Sequence, residues 1–419
     1  MHGDSMLNAA SLILRNLRPW GESGVRDLAV IDRRIAAALP GMTADRIIDA
    51  AGRLAVPGFI EPHIHLDKAL ILDSVRPNVS GTLAEAIEII WERKRLYDVD
   101  EIAERAGRVI ESAIANGVTH IRTHVDVDNI GGLRPLKGVV MARERYQHVV
   151  TMQIVAFPQE GILRNAGAEQ LMWEAMERGA DVVGGMPFNE DSIEASAKHI
   201  DIAFQIAKRF DADIDMHVDE TDDPDARTLE ILADRTIAND WQGRVTAGHT
   251  CALAGYPDDY AAKVMDKVAA AGMHMITNPA TNLMLQGRLD RQPKRRGITR
   301  VQELLDRGIN VSFGQDCVKD TFYPYGQNDM LEVAFLASHA AHLSMPDQIE
   351  SVFAMPTVNA AKVLRIDDYG FAPGNPANIV IIDATSAAEA IRFQSPRRWV
   401  IANGRVVAET VVSRTFSIL

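Results

Sequence analysis

The sequence predicts an α/β fold, a (β/α)8 TIM barrel accompanied by a small β-sandwich domain that is built from both termini. Eight apolar segments alternate with helix-like segments over ~260 residues, which is the arrangement expected of such a barrel. The apolar runs are nearly continuous, as in parallel strands that are buried on both faces. Short strand-like segments at the two ends of the chain lie outside this alternation and predict the second domain.

The predicted barrel strands follow one another along the middle of the chain. They are residues 55–67, 118–128, 149–157, 180–187, 212–220, 244–250, 272–279 and 308–316. Helices are predicted between them, for example over residues 83–97 and 102–116. The second of these ends at Asn116-Gly117, which is a typical helix C-terminal signal.

The terminal segments predict short strands separated by turns. Residues 12–17 and 27–32 near the start are similar in style to residues 377–383 and 399–407 near the end. The pair Asn403-Gly404 predicts a type I′ hairpin turn within the last of these segments. We therefore expect residues 1–57 and 368–419 to form the β-sandwich domain, beside a barrel of residues 58–367.

Composition excludes several classes of protein. The chain has 419 residues and a formal net charge of −13, which argues against general affinity for nucleic acid or for anionic membranes. Its two cysteines, Cys251 and Cys317, form neither a disulfide framework nor a Cys-x-x-Cys metal site. No apolar run reaches the ~18 residues of a membrane span, and Met1-His2-Gly3-Asp4 does not begin a signal peptide. We expect a cytoplasmic protein.

Polar side chains follow the predicted strands at the end of the barrel where active sites lie. The candidates are His63 and His65 after strand one, His124 and Asp126 after strand two, Gln159 and Glu160 after strand three, His217 and Glu220 after strand five, His249 after strand six, Asn278 after strand seven and Asp316 after strand eight. His63 and His65 point to the same face, because strand side chains alternate.

Imidazole and carboxylate ligands suit a divalent ion such as Zn²⁺ or Fe²⁺, and one such ion is the predicted cofactor. Glu220, three residues after His217, is the natural proton shuttle. Structural interpretations remain for single residues, since His124 could be a hydrogen-bonded core histidine and His249 could be structural.

Four motifs resemble those of the amidohydrolase superfamily, and most closely those of cytosine deaminase-like enzymes. They are Pro62–His65, His217-Val218-Asp219-Glu220, Gly248-His249-Thr250 and Phe313-Gly314-Gln315-Asp316. The resemblance covers nearly the whole chain, including the terminal domain. The other base-deaminase pattern, His-x-Glu with Pro-Cys-x-x-Cys, is absent from the sequence.

The resemblance implies a role for each matched residue. The metal ligands would be His63, His65, His217 and Asp316. Glu220 would move a proton to a ring nitrogen, while His249 and Asp316 would orient the hydroxide and manage its proton. Two-metal members of the superfamily carry a bridging lysine after strand four, where this chain has Gly184-Gly185-Met186-Pro187, so a single ion is expected.

The resemblance also implies substrate contacts. It holds at Gln159 and Leu83 and is weakest at Cys317 and Phe322. Gln159 matches a glutamine that binds the pyrimidine amide edge, and Leu83 matches a residue that contributes its backbone carbonyl. The cytosine deaminase pattern His-Asp-Asp is replaced by Gln315-Asp316-Cys317, and Phe322 stands nearest to an expected tryptophan. Cys317 is smaller and more apolar than aspartate, so it would tolerate an apolar group on the ring, unless it is only a small buried core residue.

These inferences predict an enzyme that hydrolyses the exocyclic C–N bond of a free nucleobase. We expect cytosine or a 5-substituted cytosine such as 5-methylcytosine to give the uracil analogue and ammonia. The alternatives are another heterocyclic amine, namely isocytosine, an s-triazine or a creatinine-like compound, and a non-catalytic scaffold, which would be expected to lose metal ligands. We also expect a homo-oligomer.

Overall fold

The computed structural model describes residues 9–417. The N-terminal segment with Met1-His2-Gly3-Asp4, and the ends of the two ranges predicted for the β-sandwich domain, lie outside the described residues. No helix within residues 9–417 combines the length and the apolar character that are needed to cross a bilayer.

The strands alternate with helices through the middle of the chain. The strands are β1 (Ala9–Pro19), β2 (Arg26–Ile31), β3 (Arg34–Ala37), β4 (Thr43–Asp49), β5 (Leu54–Pro57), β6 (Phe59–Ile64), β7 (Val118–Asp126), β8 (Thr151–Phe157), β9 (Val182–Gly185), β10 (Asp213–Val218), β11 (Val245–His249), β12 (His274–Thr277), β13 (Asn310–Phe313), β14 (Ile379–Ile382), β15 (Arg397–Ala402) and β16 (Arg405–Glu409).

The helices are mostly amphipathic and cover the outside of the barrel. They are α1 (Leu83–Lys94), α2 (Val99–Ala115), α3 (Arg134–Tyr146), α4 (Ala168–Glu177), α5 (Ile193–Phe210), α6 (Thr228–Ala238), α7 (Asp258–Ala270), α8 (Pro279–Leu285), α9 (Val301–Asp306), α10 (Met330–Ala340), α11 (Pro346–Ala354), α12 (Ala360–Leu364) and α13 (Ala387–Phe393). Short 3-10 turns lie at Leu72–Ser74, Pro187–Asn189 and Cys251–Gly255, and a π turn lies at Met355–Asn359.

Strands β6 to β13 form the barrel, in the order of the sequence and all parallel. Closure depends on a parallel bridge between Ile64 and Asp316. There the His65 amide donates to the Asp316 carbonyl at 3.0 Å, and the Asp316 amide donates to the His63 carbonyl at 2.8 Å. The predicted (β/α)8 barrel is confirmed, and it closes through residues that were predicted to bind metal.

The barrel strands are buried on both faces. Every residue of β7 is buried, and so is every residue of β6, β9 and β11. The barrel strands and the surrounding helices share one large core cluster. Fully buried parallel strands of this kind need no alternation of polar and apolar residues. Strand β7 even carries polar side chains, such as Arg122 and His124, in buried positions.

The strands from both termini form a second sheet, which confirms the predicted domain beside the barrel. Strand β1 pairs with β2, β4 and β5, while β5 pairs with β14 and β15 pairs with β16. The two halves of this sheet enclose a core cluster that contains Leu14, Val30, Ile379 and Ile401. The hairpin between β15 and β16 has a positive φ at both central residues, Asn403 and Gly404, as a type I′ turn requires.

The junction between the two sheets lies at Gly58, between β5 and β6. A Cβ atom at this position would lie 2.2 Å from Thr119 Oγ1, so only glycine lets the chain pass here without moving its neighbour. The proposed domain boundaries, after residues 57 and 367, stay a prediction.

Candidate metal centre and active site

The carboxyl ends of four barrel strands bring five of the predicted residues together. His63 belongs to β6, His217 to β10 and His249 to β11, whereas His65 and Asp316 follow β6 and β13. Each of the five side chains is at most 4% exposed. His249 and Asp316 have φ angles of 66° and 67°, a left-handed conformation that non-glycine residues adopt rarely and that recurs at functional sites.

Four of these residues fit a divalent ion. His65 Nε2 lies 3.3 Å from Asp316 Oδ1 and 3.1 Å from His217 Nε2, and His63 Nε2 lies 3.6 Å from Asp316 Oδ1. Both ring nitrogens of His63, the Nδ1 atoms of His65 and His217, and Asp316 Oδ2 have no hydrogen-bond partner within residues 9–417. Buried polar atoms without partners are costly, and a cation among them would remove that cost.

The protonation of the cluster also suits a metal. Burial, with the charge of Lys68, lowers the pKa of His65 well below its ordinary value, and burial with the neighbouring imidazoles does the same to His217. Burial alone would raise the pKa of Asp316, but His249, His63 and His65 hold it well below its usual range. Neutral imidazoles and an ionised carboxylate are the forms that bind a divalent ion.

His249 differs from the other histidines because both of its ring nitrogens have partners. Nδ1 lies 3.2 Å from Glu220 Oε1 and 3.0 Å from Asn282 Nδ2, while Nε2 lies 3.1 Å from Asn278 Nδ2. His249 also lies within the group of potential ligand atoms formed with His63, His217 and Asp316, which are all within 4.8 Å of one another. Its chain partners favour the predicted orienting role over a role as ligand.

Asn282 was missed by sequence analysis, although a signal was available. Asn278 precedes α8, and Asn282 follows it by one helical turn, so the two side chains reach the same neighbour. Together they fix the ring of His249.

Glu220 is buried beside this cluster, where Asn282 Nδ2 donates to its Oε1 atom at 3.2 Å. Burial, and then the charge of Asp316, raises the pKa of Glu220 well above its ordinary value. A carboxyl group with a raised pKa keeps its proton to a higher pH than an exposed one does, which suits a general acid.

A second group of potential ligands, His63, His124 and Asp215, lies deeper in the barrel. Arg122 Nη1 donates to Asp215 Oδ2 at 2.9 Å, so a guanidinium already neutralises this carboxylate. The His124 ring packs against the His63 ring, with 4.1 Å between their centroids. The positive charge of Arg122 disfavours a second metal ion in this deeper group, which agrees with the expectation of a single ion.

A narrow cavity adjoins the metal-binding cluster. The predicted site residues that line it are His65, Leu83, Gln159, His217, Glu220, Asp316, Cys317 and Phe322. Cys317 therefore faces the cavity, a point that the sequence left open. Burial raises the pKa of the Cys317 thiol well above its ordinary value, so this wall of the cavity is uncharged.

Lys68 also lines the cavity, and it belongs to a buried ring of hydrogen bonds and ion pairs that sequence analysis did not predict. We call this the lysine–carboxylate ring; its members are Lys68, Asp126, Lys94, Glu160 and Gln159. Lys68 Nζ donates to Asp126 Oδ1 at 2.7 Å and to Gln159 Oε1 at 2.6 Å. Lys94 Nζ lies 2.6 Å from Asp126 Oδ2 and 2.9 Å from Glu160 Oε1, and Gln159 Nε2 closes the ring by donating to Glu160 Oε1 at 3.3 Å.

Two members of the ring, Lys94 and Asp126, have pKa values that favour their charged forms despite burial. Burial alone would lower the pKa of Lys94, but Asp126, Glu160 and Asp128 raise it well above its ordinary value. Burial alone would raise the pKa of Asp126, but Lys68 and Lys94 hold it below its usual range. Asp126 and Glu160, which the sequence placed at strand ends without a role, therefore contact lysines and not the metal-binding cluster.

Comparisons with known proteins agree with this geometry. A family model described as the amidohydrolase family matches residues 46–408. The crystal structure of 5-methylcytosine deaminase from Klebsiella pneumoniae, liganded with 5-fluorocytosine, is 37% identical to this chain, with a TM-score of 0.92 over 97% of this chain and 99% of that one.

Two curated proteins are similar over most of their length. N-isopropylammelide isopropyl amidohydrolase of Pseudomonas sp. strain ADP is 29% identical, over 96% of this chain and 98% of that protein. Pterin deaminase of Rhizobium rhizogenes is 31% identical, over 91% of this chain and 87% of that protein.

Proposed function

Since the chain belongs to the amidohydrolase family, as a metal-dependent aminohydrolase, we propose that it deaminates cytosine or a 5-substituted cytosine such as 5-methylcytosine. The family and the class of reaction confirm what the sequence motifs implied. The products would be the corresponding uracil and ammonia. The identity of the substrate's heterocyclic ring is the part of this assignment that rests on the contacts of the cavity.

The observation that carries the proposal is the hydrogen-bonding edge formed by Lys68 and Gln159. Lys68 has three N–H donors and uses two of them on Asp126 and Gln159, so one is left for a ligand. Gln159 Oε1 is taken by Lys68, and its Nε2 group donates once to Glu160 and keeps a second N–H. The unused N–H of the Lys68 ammonium and the unused N–H of Gln159 can both donate to a ligand. Such a pair of donors favours a ring that carries a carbonyl oxygen, as cytosine does at C2.

The residues of the site divide the reaction between them. A divalent ion held by His63, His65, His217 and Asp316 would lower the pKa of bound water toward ~7 and so supply hydroxide at neutral pH. Glu220, whose pKa is raised by burial, would donate a proton to the ring nitrogen beside the amine-bearing carbon.

The remaining proton is handled by two residues that the chain holds in place. Asn278 and Asn282 keep His249 oriented, so that His249 and Asp316 can take up the proton that water loses. The water oxygen forms a bond to the amine-bearing carbon, the proton that His249 and Asp316 took up passes to the amine, and the C–N bond then breaks, so that the amine leaves as ammonia. The three imidazoles and one carboxylate suit both Zn²⁺ and Fe²⁺, and we propose one of these as the resident ion.

The cavity wall at Cys317 and Phe322 supports a 5-substituted ring. Both side chains belong to one apolar cluster that also contains Phe157 and Met186. A neutral thiol leaves room for a methyl group and offers it an apolar surface, whereas an aspartate at this position would not. A relative with a very similar fold is a 5-methylcytosine deaminase.

Replacement of Cys317 by aspartate is expected to lower kcat/KM for 5-methylcytosine ~10–200-fold more than kcat/KM for cytosine. This is the range of discrimination that one methyl-sized group typically gives in an apolar pocket. The reason is that a carboxylate fills and charges the wall that receives the methyl group. Steady-state kinetics on both substrates checks this, with Cys317→Ala as the control that keeps a small neutral side chain. Equal losses on the two substrates, at unchanged metal content, would contradict a role for Cys317 in selectivity.

The second candidate function is hydrolysis of another oxo-bearing ring, and the same donor edge favours it. A triazine with a ring carbonyl would satisfy Lys68 and Gln159 as cytosine does, and one relative acts on N-isopropylammelide. Isocytosine and creatinine-like compounds stay possible substrates because they too carry a ring carbonyl. Another relative is a pterin deaminase. The predicted cytoplasmic location and homo-oligomeric state also stay predictions.

Release of ammonia, or of isopropylamine from N-isopropylammelide, across a panel of rings separates these candidates. The panel is cytosine, 5-methylcytosine, isocytosine, ammelide, N-isopropylammelide, creatinine and pterin. We expect the highest kcat/KM on one of the two cytosines, with release of the matching uracil. A higher kcat/KM on a triazine would replace the proposal by the second candidate, and loss of activity from the whole panel would reject both.

A further inference from the structure

We propose that Lys94 is a positioning residue that determines which atoms of the Gln159 amide face the substrate. The inference rests on the proposed function, because it concerns the donor edge that would bind a ring carbonyl. Lys94 is the last residue of α1 and is fully buried. Its ammonium lies within 2.9 Å of three carboxylates, those of Asp126, Asp128 and Glu160.

The lysine–carboxylate ring allows only one orientation of the Gln159 amide. In the observed orientation, the Gln159 oxygen accepts from the Lys68 ammonium, and its nitrogen donates to the Glu160 carboxylate. A reversed amide would place its NH2 group against the ammonium and its oxygen against the carboxylate. Both contacts would be repulsive, and in a buried site their cost is high.

Lys94 connects the two ends of this arrangement. Through Asp126 it holds the carboxylate that anchors Lys68, and through Glu160 it holds the acceptor of the Gln159 NH2 group. Without the Lys94 ammonium, three carboxylates would share one buried site and repel each other. Glu160 would then be displaced from Gln159, and the amide would lose the contact that selects its nitrogen.

Helix α1 gives Lys94 a second connection to the cavity. Leu83 and Ile87 belong to the same helix as Lys94, and both line the cavity that Gln159 also lines. A merely structural ion pair would affect how firmly α1 packs and how stable the chain is. A positioning residue would also change which ring edge the site accepts, and this difference can be measured.

The test compares cytosine with 2,4-diaminopyrimidine, in which an amine donor replaces the carbonyl acceptor at C2. We expect the parent enzyme to prefer cytosine strongly, since its edge presents donors. In Lys94→Met we expect this preference in kcat/KM to fall by at least ~10-fold, mainly through a higher KM for cytosine. The dissociation constant of uracil, measured by calorimetry, should rise by a similar factor while metal content stays at the parent level.

Three further variants separate positioning from structure. Lys94→Arg keeps the cation and should restore part of the preference. Arg397→Met removes a buried cation that pairs with Asp329 away from the cavity, and it should leave the preference unchanged. If Lys94→Met does not fold, Lys94→Met/Asp128→Asn relieves one of the facing carboxylates and is measured in its place.

The outcomes distinguish the two levels of inference. An active parent whose preference and uracil affinity are unchanged in Lys94→Met would overturn the positioning role and leave the proposed function standing. An equal change in Arg397→Met would also overturn it, since a general loss of stability would then explain the effect. A parent that does not deaminate cytosine would reject the proposed function and, with it, this inference.

Discussion

Replacement of Glu220 by glutamine is expected to lower kcat at least ~100-fold while the chain keeps its metal, because general acid–base catalysis typically contributes 10²–10⁴-fold. Glu220 is buried and faces the cavity, and burial raises its pKa, which favours the protonated form that a general acid needs. Glutamine preserves the size of the side chain and its hydrogen bond with Asn282, but it cannot transfer a proton. Single-turnover kinetics with metal analysis of the same preparation measures both quantities.

The control for this variant is Asp223→Asn, which removes one carboxylate charge from the same loop at an exposed position. We expect near-parental kcat for it. Loss of metal from Glu220→Gln would show that Glu220 is a ligand and not a proton shuttle. A kcat within a few-fold of the parent value would exclude Glu220 from the reaction.

The barrel could be predicted because burial on both faces leaves a simple trace in the sequence. All nine residues of β7 are buried, and its sequence accordingly has no alternation that would suggest a half-exposed strand. The site could be predicted because parallel strands end on the same side of a barrel, so that His63 and His217 must meet although 154 residues separate them. Both inferences follow from the topology and need no knowledge of the loops.

Strands of the terminal sheet were harder to predict where they are exposed. Strand β4 carries only one buried residue, Ile48, and most of its other side chains are exposed. Strand β3 spans Arg34–Ala37 and is just four residues long. Short exposed strands leave no apolar pattern, so neither could be separated from a loop.

The role of Lys94 had no local signal at all. A lysine in the last turn of a helix usually lies in solvent and interacts with the helix dipole, which is the ordinary interpretation of this position. Here Asp126, Asp128 and Glu160 come from two other strand ends and surround it. Only the tertiary arrangement of three segments distant in sequence makes this lysine part of the site.

The orientation of Cys317 depended on where β13 ends. Adjacent residues of a continuing strand face opposite sides, which would have placed Cys317 away from a cavity lined by Asp316. Strand β13 ends at Phe313, and Asp316 has a φ of 67°, so the alternation no longer applies. Both Asp316 and Cys317 therefore line the cavity.

Removal of the metal is expected to lower turnover by more than ~1000-fold, because the ion supplies several kcal/mol of the catalytic effect as the source of hydroxide. Addition of Zn²⁺ or Fe²⁺ should restore turnover, with about one ion bound per chain. The melting temperature should fall on chelation as well, since an ion that binds only the folded state stabilises it. Metal analysis, kinetics and thermal unfolding on one chelated preparation measure these effects.

Two matched variants locate the ion within the barrel. His63→Asn removes a proposed ligand whose ring nitrogens have no chain partner, and it should lose both the metal and the turnover. His124→Asn changes the neighbouring ring, 4.1 Å away, and should keep the metal, because Arg122 already neutralises Asp215 beside it. Metal loss from both variants would instead favour the deeper group, because His63 and His124 both belong to it. A fully active preparation without metal would contradict both positions.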